Sequence, residues 1–266
     1  MKTSGLKSTV IVILLIVNAF LLFLRLDRSA QKRAAYERSV DQLVALCERS
    51  GIALSPALLP GETRLGTIHH ARDLAAEAAF ARALLGEDAA ALAAGGGIYR
   101  YQNAHGSCLL RAGGAVEAAL DLTVDDPQAF CTSLFAAFGY AQQTALPPGN
   151  SGDAVGIRTL DDGPVFNAEL RLTFSDGHLT AANGTFLPSA APAEASEGVD
   201  AISALTRFLD YSTVSGTVCT EIRAIRNGYL LQSTASTALS LVPAWRIVTD
   251  AGNYYVNYVT GEVSRE

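Results

Sequence analysis

Four histidines, four cysteines and a few acidic or glycine-rich loops are the groups in this 266-residue chain whose types could support chemistry. His69, His70, His105 and His178 belong neither to an H-E-x-x-H helix nor to a His–Cys cluster at ligand spacing, so no metal is expected. His69-His70 reads as an exposed pair in a loop, and His105-Gly106 and His178 stand at hairpin turns. Cys47, Cys108, Cys131 and Cys219 are widely spaced, with no C-x-x-C. Four cysteines allow three disulfide connectivities. Four small buried hydrophobes is the preferred reading, and disulfides stay open as the alternative. Gly149-Asn150-Ser151-Gly152-Asp153 lacks the G-x-S-x-G elbow that would expose a nucleophile, and it lies in a Pro-Gly loop. Gly95-Gly96-Gly97 precedes a strand, the reverse of the strand–glycine–helix order that cradles phosphate, and reads as a spacer. Asp125-Asp126 and Asp161-Asp162 are explained by a helix cap and by a turn before Gly163. The expectation is a chain that is not an enzyme and holds no cofactor.

The element that would position such a chain comes first. Ser8 to Leu24 is a run of 17 residues without a charge. As a helix rising about 1.5 Å per residue it spans roughly 26 Å, the low end of a hydrocarbon core. Val10, Ile13, Leu14, Val17, Asn18, Leu21 and Leu24 line this anchor, and Asn18 is its one strongly polar side chain. Arg25, Asp27 and Arg28 follow at once, and a cut after Ala30 would place Arg28 at the minus-three position, so an uncleaved signal anchor is expected. The basic residues after the run (Arg25, Arg28, Lys32, Arg33, Arg38) outnumber Lys2 and Lys7 before it, which by itself favours a cytoplasmic body. Residues 27–266 carry 17 basic and 26 acidic side chains, a net of −9 that argues against nucleic acid as a partner.

Beyond the anchor the pattern alternates between helices and groups of strands. Tyr36, Val40, Leu43 and Cys47 follow a 4-3-4 spacing that predicts a helical stalk ended by Gly51. Ile52-Ala53-Leu54 reads as a short strand. Asp73 to Leu85 predicts a helix with Leu74, Ala78, Ala81, Leu84 and Leu85 inward, and Asp126-Pro127 starts a second that buries Phe130, Leu134, Phe135 and Phe138. Phe166 to Phe174 alternates apolar with polar residues, and Asp176-Gly177 turns it into a hairpin. Pro188 to Gly198 reads as a surface connection, and a third helix runs from Val199 to Tyr211. The last strands are Val218–Ile225, Tyr229–Ser233, Leu241–Thr249 and Tyr254–Val259. The expected fold class is α+β: an N-terminal transmembrane helix, then repeated helix-plus-antiparallel-sheet units, each helix lying on its own sheet.

Glu221-Ile222-Arg223, Gly228-Tyr229, Leu241-Val242-Pro243-Ala244-Trp245-Arg246-Ile247, Tyr254-Tyr255-Val256-Asn257 and Thr260-Gly261-Glu262-Val263 resemble the carboxy-terminal part of YycI/YycH-type regulatory proteins and related PepSY-like sheets. Gly163-Pro164-Val165-Phe166-Asn167 with Asp176-Gly177 is similar to the middle repeat of that group, and the anchor and the Cys47–Ile52 helix exit fit its layout. The resemblance implies a single-pass protein of a Gram-positive cell membrane with an extracytoplasmic body. It further implies modulation of a partner such as the sensor histidine kinase of a two-component regulatory system, without catalysis. The Ala-rich stretch Ala71 to Ala94 departs from the pattern. Four segments are then expected: an anchor over 1–26, a stalk over 27–51, a first α+β unit over 52–145 and PepSY/YycI-like α+β units over 146–266. Trp245 and Ile247 share one face of a strand with Arg246 on the other, and Tyr255 and Asn257 share a face opposite Tyr254, Val256 and Tyr258. Both faces are partly aromatic, which fits either a last hairpin packed on both faces or one with a core face and a contact face; on the second reading the candidate partner contacts are Trp245, Arg246, Tyr254, Tyr255 and Asn257. The alternative is an extracytoplasmic peptide- or ligand-binding, or protease-inhibiting, PepSY-like module.

Overall fold

The computed structural model describes residues 3–61, 63–161, 163–188, 194, 196–233 and 239–266, with side chains from Ile13 onward except at 26, 29, 30 and 233. The expected anchor and stalk are one uninterrupted helix, α1 (Thr3–Arg49). Every described side chain from Ile13 to Arg25 is exposed, whereas Val40, Leu43 and Cys47 are buried. The 4-3-4 seam therefore closes only from Val40 onward, where α1 packs on α4 (Ala201–Ser215). Among the described residues no helix is long and apolar enough to cross a membrane. The side chains of Ser8 to Val12, Val10 included, lie outside the described residues.

The body is mixed α+β, built on one large and mainly antiparallel sheet. Its path begins with β13 (Val263–Arg265), β12 (Gly252–Asn257), β11 (Leu239–Thr249) and β10 (Ile222–Ser233). It continues through β8 (Gly163–Ser175), β9 (His178–Thr185), β5 (Ala115–Thr123), β4 (Gly106–Arg111), β3 (Ile98–Asn103) and β2 (Ala90–Gly95). β1 (Ile68–His70) pairs with β11, and β7 (Gly152–Leu160) lies between β6 (Tyr140–Thr144) and β8.

Two cores form on this sheet. The first joins the foot of α1 and the apolar stripe of α4 (Leu205, Phe208, Leu209) to Tyr229, Leu241, Trp245, Ile247, Tyr254 and Val256. The second lies under α2 (Leu74–Leu85) and α3 (Pro127–Ala137) and runs from Phe80 to Phe186, so β7, β8 and β9 pack with the helices that precede them. α2 and α3 thus share one sheet rather than having one each. Phe80 is the reason: it stacks on Phe186 at 4.6 Å and meets Phe138 edge-on at 5.1 Å, tying both helices to the same strands.

Helix starts follow their capping residues. Asp73 accepts from the Ala75 and Ala76 N–H groups, Asp126 from Ala129 and Asp200 from Ser203. Leu74 is 43% exposed, contrary to its expected inward position. The buried stripe of α2 instead passes through Glu77 and Phe80, and Glu77 is held by a bidentate Arg72 at 2.6 and 2.8 Å. Asp176 (φ 50°) and Gly177 (φ 81°) supply the two left-handed residues of the β8–β9 turn. Ile52-Ala53-Leu54 makes only a single bridge, Ala53 to Glu221, instead of a strand. Asp162 and most of the Pro188–Gly198 connection fall outside the described residues.

The cores meet along β8, which pairs with β7 and β9 and, in parallel, with β10 at Val165–Tyr229. The two strands expected on either side of Gly228 are one strand, and Gly228 sits where β8 comes closest. A Cβ there would collide with the Pro164 carbonyl and the Phe166 ring. Gly228→Ala is expected to lower stability by about 1–3 kcal/mol through overpacking at this seam. Gly61→Ala, where the methyl group would meet open space, is the control and should leave the urea midpoint nearly unchanged.

Candidate interaction surface

Alternation along β11 and β12 sorts the expected contact residues onto two faces. Trp245 is 1% exposed, and its indole N–H donates to the Val199 carbonyl at 2.7 Å, fixing the chain just before the Asp200 cap of α4. Tyr254 is fully buried against Phe208 (4.9 Å) and Tyr211 (6.1 Å) of α4. These two are core residues, not a contact surface. Tyr255 lies on the opposite face but is also buried, closed over by Phe166 with ring centroids 5.6 Å apart. Its hydroxyl donates to Glu266 Oε1 at 2.9 Å. Burial, the larger cause, and that carboxylate both raise its pKa. Asn257 is used locally: its Oδ1 accepts from the Val259 and Thr260 N–H groups at 2.8 and 2.9 Å and shapes the turn after β12.

Arg246 is the one expected contact residue that keeps a reachable charge, with its side chain 24% exposed. Its guanidinium lies over the Phe166 ring at 5.7 Å, 3.8 Å from Glu266 Oε2. Directly across β10 stands exposed Arg226, so that Arg226, Arg246, Tyr255 and Ser264 form a row over four strands. The helices of this core sit on the Trp245 side, and the row faces away from them.

A cleft of about 270 Å³ opens where α1 meets the body. It is framed by Tyr36 of α1, Arg64, Glu197, the Asp200 cap, and the edges of Trp245 and Tyr258. Tyr258 anchors its wall by donating to the Thr63 carbonyl at 2.7 Å, and residue 198 is glycine because a Cβ would enter the Tyr258 ring. With one guanidinium and two carboxylates the cleft has the polarity of a contact site for a small polar group. Among the described residues it contains no nucleophile–base pair in hydrogen-bond register.

The remaining polar groups have structural partners. His69-His70 is part of β1 rather than a loop, because Ile68, His69 and His70 pair with β11. His69 Nδ1 lies 3.1 Å from Ser240 Oγ, and the buried His70 Nε2 donates to the Pro188 carbonyl at 2.9 Å. His178 Nδ1 faces Asp121 at 3.1 Å on an exposed hairpin. Arg158 is 5% exposed and, among the described residues, bonds only to carbonyls, those of Gly139, Thr159, Leu187 and Pro188 at 2.7 to 3.4 Å. Desolvation pulls its pKa down. Nothing in the local sequence marks this residue, since an arginine in an alternating strand is ordinarily an outward one. Among the described residues no three His, Cys, Asp or Glu side chains converge as metal ligands.

No protein-family model matches this chain, and none of the curated proteins does. Solved structures resemble it weakly. An uncharacterized protein from Eubacterium rectale ATCC 33656 aligns at 10% identity and a TM-score of 0.47, over 77% of this chain and 86% of that one. The C-terminal domain of Bacillus megaterium YpeB aligns at 9% identity and a TM-score of 0.36, over 74% and 98%. At such scores neither bears on function, and the reading that follows rests on the chain itself.

All four cysteines are free and buried. Burial pushes the Cys108 thiol up to about 12 and the Cys47 and Cys131 thiols to about 11, and the neighbouring Cys219 adds to the rise at Cys47. Protonated, enclosed thiols are poor nucleophiles. An aromatic disulfide reagent at pH 8 should therefore modify none of them in the folded chain. After denaturation without reductant all four should react, whereas two or none reacting would reveal disulfides.

Proposed function

We propose that this is a membrane-tethered, non-catalytic interaction protein whose body lies outside the cytoplasmic membrane and biases one state of a membrane partner. The observation that carries this reading is α1. One helix leaves Ile13, Leu14, Leu15, Ile16, Phe20, Leu21, Leu22 and Phe23 each more than half exposed and then plants Leu43 and Cys47 in the first core. Hiding an aliphatic or aromatic side chain from water is worth about 1.5–3 kcal/mol. A continuous rod of them is stable when lipid or a partner helix surrounds it. The apolar run from Ser8 completes a span of bilayer length. Asn18 gives that span one polar group for an interhelical contact, worth about 0.6–2 kcal/mol in lipid.

The partner class follows from the resemblance of the Trp245–Val263 block to YycI/YycH-type proteins, which points to a sensor histidine kinase. Regulation would then be differential binding: the span and the body favour one state of the kinase, and no bond is made or broken. The basic residues flanking the span favour the opposite orientation, and the family layout is what sets the body outside. A second reading, a peptide- or ligand-binding PepSY-like module, is favoured by the cleft at the foot of α1.

Fractionation tests the tether, and protease treatment of intact cells tests the side. The full chain should stay with membranes through an alkaline carbonate wash, lose its body to external protease, and carry a membrane partner through detergent purification. Recovery of the full chain in the soluble fraction, or substrate turnover by the purified protein, would overturn the proposal.

A further inference from the structure

The long sheet ends on a strand with little guard. β2 pairs with β3 on one side, and among the described residues β3 is its only neighbour in the sheet. All six of its residues are exposed, Leu92 by 49%. From Ala89 to Tyr99 the chain has neither a charge nor a proline. α2 packs over β3 and β4 and leaves β2 beyond its cover. The other ends of the sheet are protected: β13 is three residues long and ends beside Arg265 and Glu266, and β6 carries Gln142, which Gln128 of α3 reaches at 3.4 Å. A β-bulge falls between Ala93 and Gly95 at the end of β2; the run Ala90–Ala93 before it is an uncharged edge whose outward N–H and C=O groups are a template for another strand.

The chemistry of β2 also selects its occupant. Strand addition takes affinity from the backbone and specificity from pockets that receive alternate side chains. β2 offers only alanine methyl groups and Leu92, all exposed. These give it little by which to choose a foreign peptide. It can accept a strand as small and uncharged as itself, and a second copy of this chain supplies one. We propose that β2 strands of two copies pair antiparallel about a two-fold axis, so that the sheet runs on from one body into the other. With the axis beside Leu92 the arrangement is self-complementary, sets Leu92 against Leu92 and Ala91 against Ala93, and brings no like charges together along the new ladder. It does not depend on the tether, although a shared membrane would raise the effective concentration of the two copies.

The test is the oligomeric state of the full chain in detergent, followed by light scattering over a range of protein concentrations. A monomer–dimer equilibrium is expected. Leu92→Lys and Leu92→Glu should each weaken it by about tenfold or more, because like charges then face each other across the axis. An equimolar mixture of the two variants should restore a heterodimer. Leu92 is half exposed, so both variants should keep the parent's thermal midpoint, which separates lost pairing from lost folding. A chain that stays monomeric at every concentration, a dimer indifferent to both substitutions (and so held by α1), or a mixture that fails to recombine would overturn the inference.

Discussion

The structure depends on β8 serving two cores at once. Val165 and Ala168 point into the core beneath α1 and α4, while Leu170, Leu172 and Phe174 belong to the core beneath α2 and α3. Side chains on a strand alternate with a period of two, so a one-residue slip would turn the inward set outward in both cores together. The register is pinned where β10 departs from β8. There the Asn167 side chain takes over from the backbone ladder, accepting from the Leu231 N–H at 2.7 Å and donating to its carbonyl at 2.9 Å. Arg158 pins the same region from β7. Its buried guanidinium gathers carbonyls from the end of α3, from β7 itself and from the Leu187-Pro188 exit, where His70 also bonds. A buried cation held only by neutral carbonyls gives up hydration, and multiple charge-assisted bonds offset that cost.

Through that seam α1 and the far edge of the sheet belong to one body. Leu43 and Cys47 fix the foot of α1 in the first core, and the foot is closed by main-chain bonds from Ser50 and Ile52 to the last turn. From β11 the sheet passes through β10, β8, β9 and β5 to the open strand β2. The non-catalytic role proposed above would call for rigidity rather than reactive groups. The buried thiols and Arg158 fit that role, since the thiols are sealed from solvent and the guanidinium holds backbone carbonyls.

Much of this was legible in the residues, and the failures have physical causes. Asp126 caps its helix where expected because an Asx side chain and the first free N–H groups are neighbours in sequence, and Asp73 and Asp200 cap theirs in the same way, just at or after the expected starts at Asp73 and Val199. The Phe166–Phe174 alternation and the Asp176-Gly177 turn are local too. β2 was invisible because Ala90 to Ala94 has almost no polar contrast, and periodicity needs contrast. Gly228 reads as a break in isolation and becomes a necessity only when Pro164, distant in sequence, arrives beside it. The two aromatic faces of the last hairpin could not be ranked locally. Trp245 and Tyr254 became core because α4 covers them, and Tyr255 because Phe166 does. The Arg226–Arg246 pair is set by strand register, which sequence spacing alone does not give.

Native-state hydrogen exchange at the two ends of β8 addresses the shared strand most directly. If one strand carries both cores, the amides of Val165 and Leu172 should open only in global unfolding, with equal free energies and equal sensitivity to denaturant. Opening of one end well below the global value, while the other stays protected, would mean that the cores fold independently and that β8 merely touches both.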